Sequence, residues 1–441
     1  YTGMVYQGPN IVAKINHPTA VGQRRVGYNR ATSDTGSRHT KTLINQAKSK
    51  YLWYMGGIAT YVVPQGIQTI LLPWLVAVKL QESADRLGIV QMMTQLPGLF
   101  LILLGGLMAD RLDARKILTG LHAAAAIPAA VVALFLHTGE LTYSLLIVYA
   151  LSMGVINAFV LPARDGILNR IAGEQLQRTV TVAMGLTFGA QLFGFTAARA
   201  ADSYGAIPLL LLQSFILLSG VIAAWRLGPM PPRPVEDLAG PKLAQLTRGI
   251  SVVWNSNIMR PAMLMLTCMS FFYGGTFMVL NPLIVRDIYD GTAIEISLLY
   301  SVFVFGTVTS TVLLVMAGGL RRQGRALLLA IIGGGLSLSI GLLEPPFWGF
   351  LTSIFLWGMG GGVAMSMSRT IMQENAPDDM RARVLAVFTL SNTGGMPIGA
   401  LALGYFTEFF GILSALAFVI LGVWISSALL WRFSNLSRIG S

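Results

Sequence analysis

The sequence predicts an all-α integral membrane protein of twelve transmembrane helices, folded as two six-helix bundles related by pseudo-symmetry. Three observations carry this expectation. Apolar residues make up 54% of the 441 and charged residues only 11%, with a mean hydropathy of +0.65, whereas soluble domains carry about a quarter charged residues. The apolar segments run to about twenty residues or more, the length a helix needs to cross a ~30 Å hydrocarbon core, and they lack the short alternating pattern of barrel strands. The second half of the chain repeats signatures of the first.

Residues 1–50 are polar, with eight basic residues against Asp34 alone, and show neither a helical apolar period nor the apolar core of a signal peptide. They read as a basic cytosolic arm: a topogenic tail, a segment lying on anionic lipid, or a dock for partner proteins of a membrane complex. Apolar runs then follow at 51–78, 87–109, 117–138, 142–163, 179–200 and 207–225, giving an N-terminal bundle over 51–225. Residues 226–257 form a polar break whose GPMPPRPVEDLAGPK prolines block a helix. Its LAQLTRGISVVW stretch is amphipathic and suits the cytosolic interface. Six further runs, at 258–284, 293–317, 326–343, 347–369, 382–406 and 411–431, make a C-terminal bundle over 258–432, and 433–441 is a cytosolic tail.

The halves repeat in parallel. GGL at 105–107 recurs at 318–320, each time before a basic turn, DRLDARK and RRQGR. AGEQLQRTVTVAMGLTFGAQLFG at 172–194 parallels APDDMRARVLAVFTLSNTGGMPIG at 376–399, and this places Arg164 opposite Arg369, Asp202 opposite Glu408 and Gly205 opposite Gly411. Two copies of one unit in the same orientation make a central cavity between them the default binding site.

A net charge of +12 is explained by topology and not by nucleic acid. Twenty-seven of the 31 basic residues fall in the tail, the even-to-odd turns and the C-terminus, leaving Lys79, Arg86, Arg199 and Arg286 on the other face. The positive-inside bias then places both termini in the cytosol. The single Cys268 lies in an apolar run, so neither a disulfide framework nor a thiol metal cluster is expected. No GxxxxGK[ST], HExxH or plausible Ser-His-Asp set occurs, so the sequence predicts no enzyme, no cofactor and no ATP-driven pump.

PWLVAVKLQESADRLGIVQMMTQLPGLFLILLGGLMADRLDARKIL at 73–118 resembles major facilitator superfamily transporters, in the branch of enterobactin exporters and macrolide efflux proteins. Its glycines, Asp110-Arg111 and the basic pair Arg115-Lys116 match the loop motif of that superfamily. Asp113 stands where the motif usually has glycine, and Asp tolerates a left-handed backbone better than most residues. The resemblance implies that the two halves rock around a midplane site. It also implies that Asp110 latches the cytosolic side by capping or pairing near the eleventh span, with Arg111, Arg115, Arg164, Asp165, Arg369 and Arg383 in the same network or acting simply as positive-inside anchors. The Gly-Pro-rich motif of drug antiporters is incomplete, with Gln191 where the repeat partner has Pro397.

Intramembrane charge is scarce. Glu295, Asp202 and His122 are weak candidates for proton coupling, against helix capping by Glu295 and an Asp202–Arg199 pair. Gln65, Gln68, Gln95, Asn157, Gln191, Tyr273, Asn281 and Asn392 are cavity candidates, each set against an ordinary interhelical hydrogen bond. Aromatic residues and methionines suit a bulky amphiphile better than a sugar or phosphate. The expected function is export of a small amphiphilic molecule, drug or siderophore-like, across a bacterial inner membrane and driven by protons. The alternative is a transporter-fold assembly subunit of a larger membrane complex.

Overall fold

The computed structural model describes the backbone of residues 31–172, 176–231 and 242–436. Side chains up to residue 48, and those of Asp110, Asn169 and Ala382 among a few others, lie outside the described set. Residues Ser49–Ser441 form one compact unit, and Tyr1–Lys48 another. Of the basic arm expected over residues 1–50, residues 1–30 lie outside the described residues, and 31–50 are helical and continue into the first span.

The described residues are helical and contain no strand. In order they are α1 (Ala31–Trp74), α2 (Ala84–Arg111), α3 (Ala114–His137), α4 (Tyr143–Ala172), α5 (Leu176–Ala198), the short α6 (Ala200–Tyr204), α7 (Ala206–Arg226), α8 (Lys242–Trp254), α9 (Met259–Gly275), α10 (Asn281–Asp287), α11 (Ala293–Met316), α12 (Gln323–Ser339), α13 (Phe347–Asn375), α14 (Arg381–Phe410) and α15 (Ile412–Phe433). A π turn at Leu75–Lys79 ends α1, and another at Thr276–Leu280 joins α9 to α10. Eleven helical segments among the described residues are long and apolar enough to cross a membrane; α2, 28 residues long, packs lengthwise among them. Helix α1 begins at Ala31, well before the apolar run that starts at Tyr51.

The repeat seen in the sequence is a repeat of packing. In the first half α2 lies on α4 and α3 on α7; in the second, α11 lies on α13 and α12 on α15. Between the halves α2 runs along α14, and α5 along α11. The turns obey the same symmetry. Gly205 and Gly411, opposite each other in the repeat, both take left-handed φ values, 77° and 81°, which only glycine adopts without strain.

Helix ends follow local chemistry. Asp113 is extended, at φ −64° and ψ 112°, and not left-handed; its side chain caps α3 by accepting from the Arg115 backbone N–H at 2.9 Å. A second acceptance, from the Met230 N–H at 3.2 Å, ties the start of the linker to the same carboxylate. The departure from glycine is therefore a helix cap that also holds the linker. Asp113→Ala is expected to lower stability by about 1 kcal/mol, read as an earlier unfolding transition in detergent.

Helix α8 does form where the amphipathic pattern predicts it, but it buries its apolar side on protein. Ile250 and Val253 join a cluster with Met259, Leu266, Met372, Val384 and Phe388. A Cβ on Gly249 would stand 2.9 Å from the Arg383 carbonyl oxygen.

Candidate functional site

The chain has two ends that can be told apart: the linker face, with the turn between α2 and α3 and the 227–258 connection, and the far face, with the turns after α6, α10 and α14. The hydrogen bonds that join the two halves cluster toward the far face.

At the end of α6, Asp202 reaches across to the start of α11. Its carboxylate accepts from the Thr292 hydroxyl at 2.6 Å and from the N–H groups of Ala293 and Ile294 at 3.1 and 2.8 Å. At the end of α14, Glu408 does the same to the start of α2, accepting from the Ala84 N–H at 3.0 Å. A helix N-terminus leaves N–H groups unpaired and carries a partial positive charge, so a carboxylate there satisfies both. The two caps are repeat-related, and each runs from one half to the other. The α2 end depends on Glu408 more heavily: Ser83 makes no cap bond of its own, whereas α11 also has the Thr292–Glu295 capping box, with the Thr292 N–H 2.8 Å from Glu295 Oε2.

Arg286 adds a third tie. Its Nη1 donates to the carbonyls of Ala77 and Glu82, both at 3.1 Å, and its guanidinium pairs with Asp287. Proline explains a fourth. Pro282 has no N–H to return to the turn below it, and two carbonyls of the π turn are taken by side chains: Phe277 O by the Tyr300 hydroxyl at 2.5 Å and Met278 O by Gln91 Nε2 at 3.0 Å. Gln91 belongs to the other half. Each π turn thus offers a carbonyl to a donor from the opposite bundle, Ala77 to Arg286 and Met278 to Gln91. In the loop beside this face Tyr289 donates to the Pro345 carbonyl at 2.8 Å; burial raises its pKa, and the charge of Glu344 adds to the rise.

Glycines set the closest approach of α2 and α14. A Cβ on Gly88 would lie 2.7 Å from Ala400 O, and one on Gly404 would lie 2.8 Å from Ala84 O. Farther along, a Cβ on Gly394 would lie 3.4 Å from Leu99 Cδ1, an ordinary separation from a side-chain atom. The described close approaches of this pair therefore span the far half of the two helices.

The polar residues singled out in the sequence distribute unevenly. Gln65 is exposed on α1, one residue from Gly66, whose Cβ would meet the Gln191 backbone oxygen of α5 at 2.7 Å. Asn157 on α4 accepts from the Tyr61 hydroxyl at 2.6 Å. Gln95 on α2 is half-buried beside Thr94, whose carbonyl faces Gly154 of α4. Gln65, Gln95, Asn157 and Gln191 thus come from four helices of the first half packed in two pairs and a hydrogen-bonded third.

Gln68 is buried with Oε1 unbonded among the described residues, as are both polar side-chain atoms of Asn281 and Oδ1 of Asn392. Tyr273 points into its own half, donating to the Ile331 carbonyl at 2.6 Å with its ring edge-on to Trp357. His122 is 2% exposed, with Nδ1 2.8 Å from Leu118 O and the Tyr61 ring edge-on at 5.6 Å. Its ring fills the space at Gly220.

On the linker face the latch residues do not form one described cluster. The Asp110 side chain lies outside the described set. Arg111 and Arg369 are exposed. The Arg115 guanidinium sits 5.5 Å over the Trp225 ring, Arg164 is 4.0 Å from Asp165, and Arg383 donates to the Met380 sulfur at 2.7 Å. The sequence reading missed Gln91, Arg286 and Thr292. Gln91 had a signal, as an amide in an apolar run one helical turn before Gln95; Arg286 had none beyond its charge.

Comparison with known proteins fits this architecture. The model of the Major Facilitator Superfamily matches residues 55–400 and, again, 263–438. The chain is 22% identical over 315 residues to macrolide efflux protein A of Streptococcus pyogenes, covering 70% of this chain and 77% of that one. It is 25% identical over 318 residues to the enterobactin exporter EntS of Shigella flexneri, covering 69% and 72%. Among solved structures, a mutant of the nucleoside transporter NupG superposes with a TM-score of 0.72 at 13% identity, over 87% of this chain and 100% of that one. A bacterial homologue of the lysosomal transporter Spinster, inward-facing and unoccupied, superposes with a TM-score of 0.64 at 14% identity, over 89% and 96%.

Proposed function

The chain belongs to the Major Facilitator Superfamily, and from that premise we propose that it is a secondary transporter which exports a small amphiphilic organic molecule by alternating access. The linker face is the cytosolic one in this reading, the membrane is a bacterial inner membrane, and the conformation described is closed toward the outside. The observation that carries the reading is the exchange of caps across the far face, Asp202 onto α11 and Glu408 onto α2. Such bonds hold two rigid bundles together at one end through a few contacts that can be broken and remade, which is what a rocking mechanism requires. The relatives named for macrolides and for enterobactin support a bulky, partly apolar substrate.

Everted vesicles energised with a pH gradient test this directly, with erythromycin and enterobactin as probes. Accumulation that collapses when the gradient is dissipated is the expected result. Absence of accumulation for both probes and for a panel of amphiphilic dyes counts against export, and stoichiometric co-purification with other subunits would then favour an assembly role.

For proton coupling the proposal rests on His122. Asp202 and Glu295 are both engaged at the start of α11, whereas the His122 imidazole is buried between α1, α3 and α7 with only Nδ1 in a regular hydrogen bond and the Gly57 carbonyl beside the ring. His122→Gln is expected to retain facilitated substrate movement while losing most of the response to an imposed pH gradient. Unchanged gradient dependence would remove His122 from the mechanism. The latch at Asp110 stays a proposal of the family resemblance, tested by transport in Asp110→Asn.

A further inference from the structure

We propose that the cleft between the linker-face end of α2, the start of α3 and the middle of α4 is a binding site for one acidic phospholipid of the adjoining leaflet, with its phosphate held by Arg111 and Lys116. The cleft has a volume of about 700 Å³. Its walls are apolar, including Met108, Leu112, Ile117 and Phe159, and Met108 and Leu112 are 40% and 47% exposed. It opens beside the turn between two membrane spans and lies on the side of α2 bordered by α3 and α4, whereas α14 occupies the side marked by Gly88.

The charges at its mouth favour an anion. Arg111 and Lys116 line the cleft and are exposed, and neither forms an ion pair among the described residues. Asp113 also lines it, but its Oδ1 already accepts from the Arg115 and Met230 N–H groups. The third cation of the turn, Arg115, is over Trp225. Two exposed cations, without an ion pair among the described residues, at the interfacial end of an apolar cleft match an acidic headgroup followed by acyl chain. A water-soluble anion would leave the apolar walls uncovered, and a zwitterionic lipid would bring its own cation beside Arg111 and Lys116. The inference is independent of the substrate and of the direction of transport.

Native mass spectrometry of the intact, delipidated chain in detergent tests it, with phosphatidylglycerol and phosphatidylcholine of the same acyl chains as probes. One phosphatidylglycerol is expected to bind in preference to phosphatidylcholine. Loss of two surface cations corresponds to about thirtyfold weaker binding, so R111Q/K116Q should bring phosphatidylglycerol down to the level of phosphatidylcholine. Gly120 lines the cleft and has open space where a Cβ would sit, so Gly120→Phe should fill it and weaken phosphatidylglycerol binding with both cations intact. R321Q/R322Q, in the repeat-related turn, should leave it unchanged. Equal binding of the two lipids by the native chain, an equal loss in R321Q/R322Q, or full binding in Gly120→Phe would each overturn the proposal.

Discussion

Removing both far-face caps, Asp202→Ala with Glu408→Ala, should open the far face and abolish most transport while leaving each bundle folded. Asp202 satisfies three donors of α11 and Glu408 the first N–H of α2. A helix cap is worth about 1 kcal/mol, and up to about 2 in partly buried geometry. Together the pair amounts to roughly 3 kcal/mol, or about a hundredfold change in the ratio of closed to open states. A cysteine at Gln68, 5% exposed here, reports the change in a Cys268→Ser background. Labelling by an impermeant maleimide from the far side should be slow with the caps and fast without them. The single changes should be unequal, Glu408→Ala being the more severe because α2 has no side-chain cap of its own and α11 keeps Glu295. Slow labelling in the double variant would mean that the caps are ornamental to closure.

The second large effect is expected at Gly404. A Cβ there would come within 2.8 Å of Ala84 O and 2.9 Å of Gly88 Cα, and both obstacles are backbone, which cannot rotate away. Gly404→Val should therefore separate α2 and α14 at the far face, at an overpacking cost of about 1–3 kcal/mol or more, borne entirely by the closed state. Transport should fall to less than about a tenth, with the Gln68 cysteine labelled rapidly from the far side. Gly185→Ala is the control, since its Cβ would meet nothing within 4 Å. Normal transport by Gly404→Val would show that the seam between α2 and α14 is looser in the working protein than in this conformation.

These effects share one physical basis. Within the bilayer the hydrophobic effect gives no preference for helix against helix over helix against lipid, so backbone proximity and a few hydrogen bonds decide which surfaces meet. Where the closure is built from small residues and caps, a change of one methyl or one carboxylate is felt in the equilibrium between conformations, more than in folding.

The sequence by itself determined the solvent, the number and type of elements and their duplication. Length and hydropathy of the runs suffice for helices in a bilayer, because only a closed backbone hydrogen-bond pattern is tolerated there. The repeat of Gly205 and Gly411, of Asp202 and Glu408, was legible because parallel copies keep their punctuation. Family membership was legible too, through the GGLMADRLDARK turn. What the sequence could not say was which partner each polar group would find. Asp202 reads locally as a mate for Arg199 three residues back, yet its carboxylate lies on α11, ninety residues on. Gln91 reads as one more amide in an apolar run until the π turn before Pro282 offers a carbonyl opposite it. Asp113 reads as a glycine substitute and is a cap shared with Met230. Such choices depend on distances between helices far apart in the chain, and only the packed bundle brings those donors and acceptors within 3 Å or so of one another.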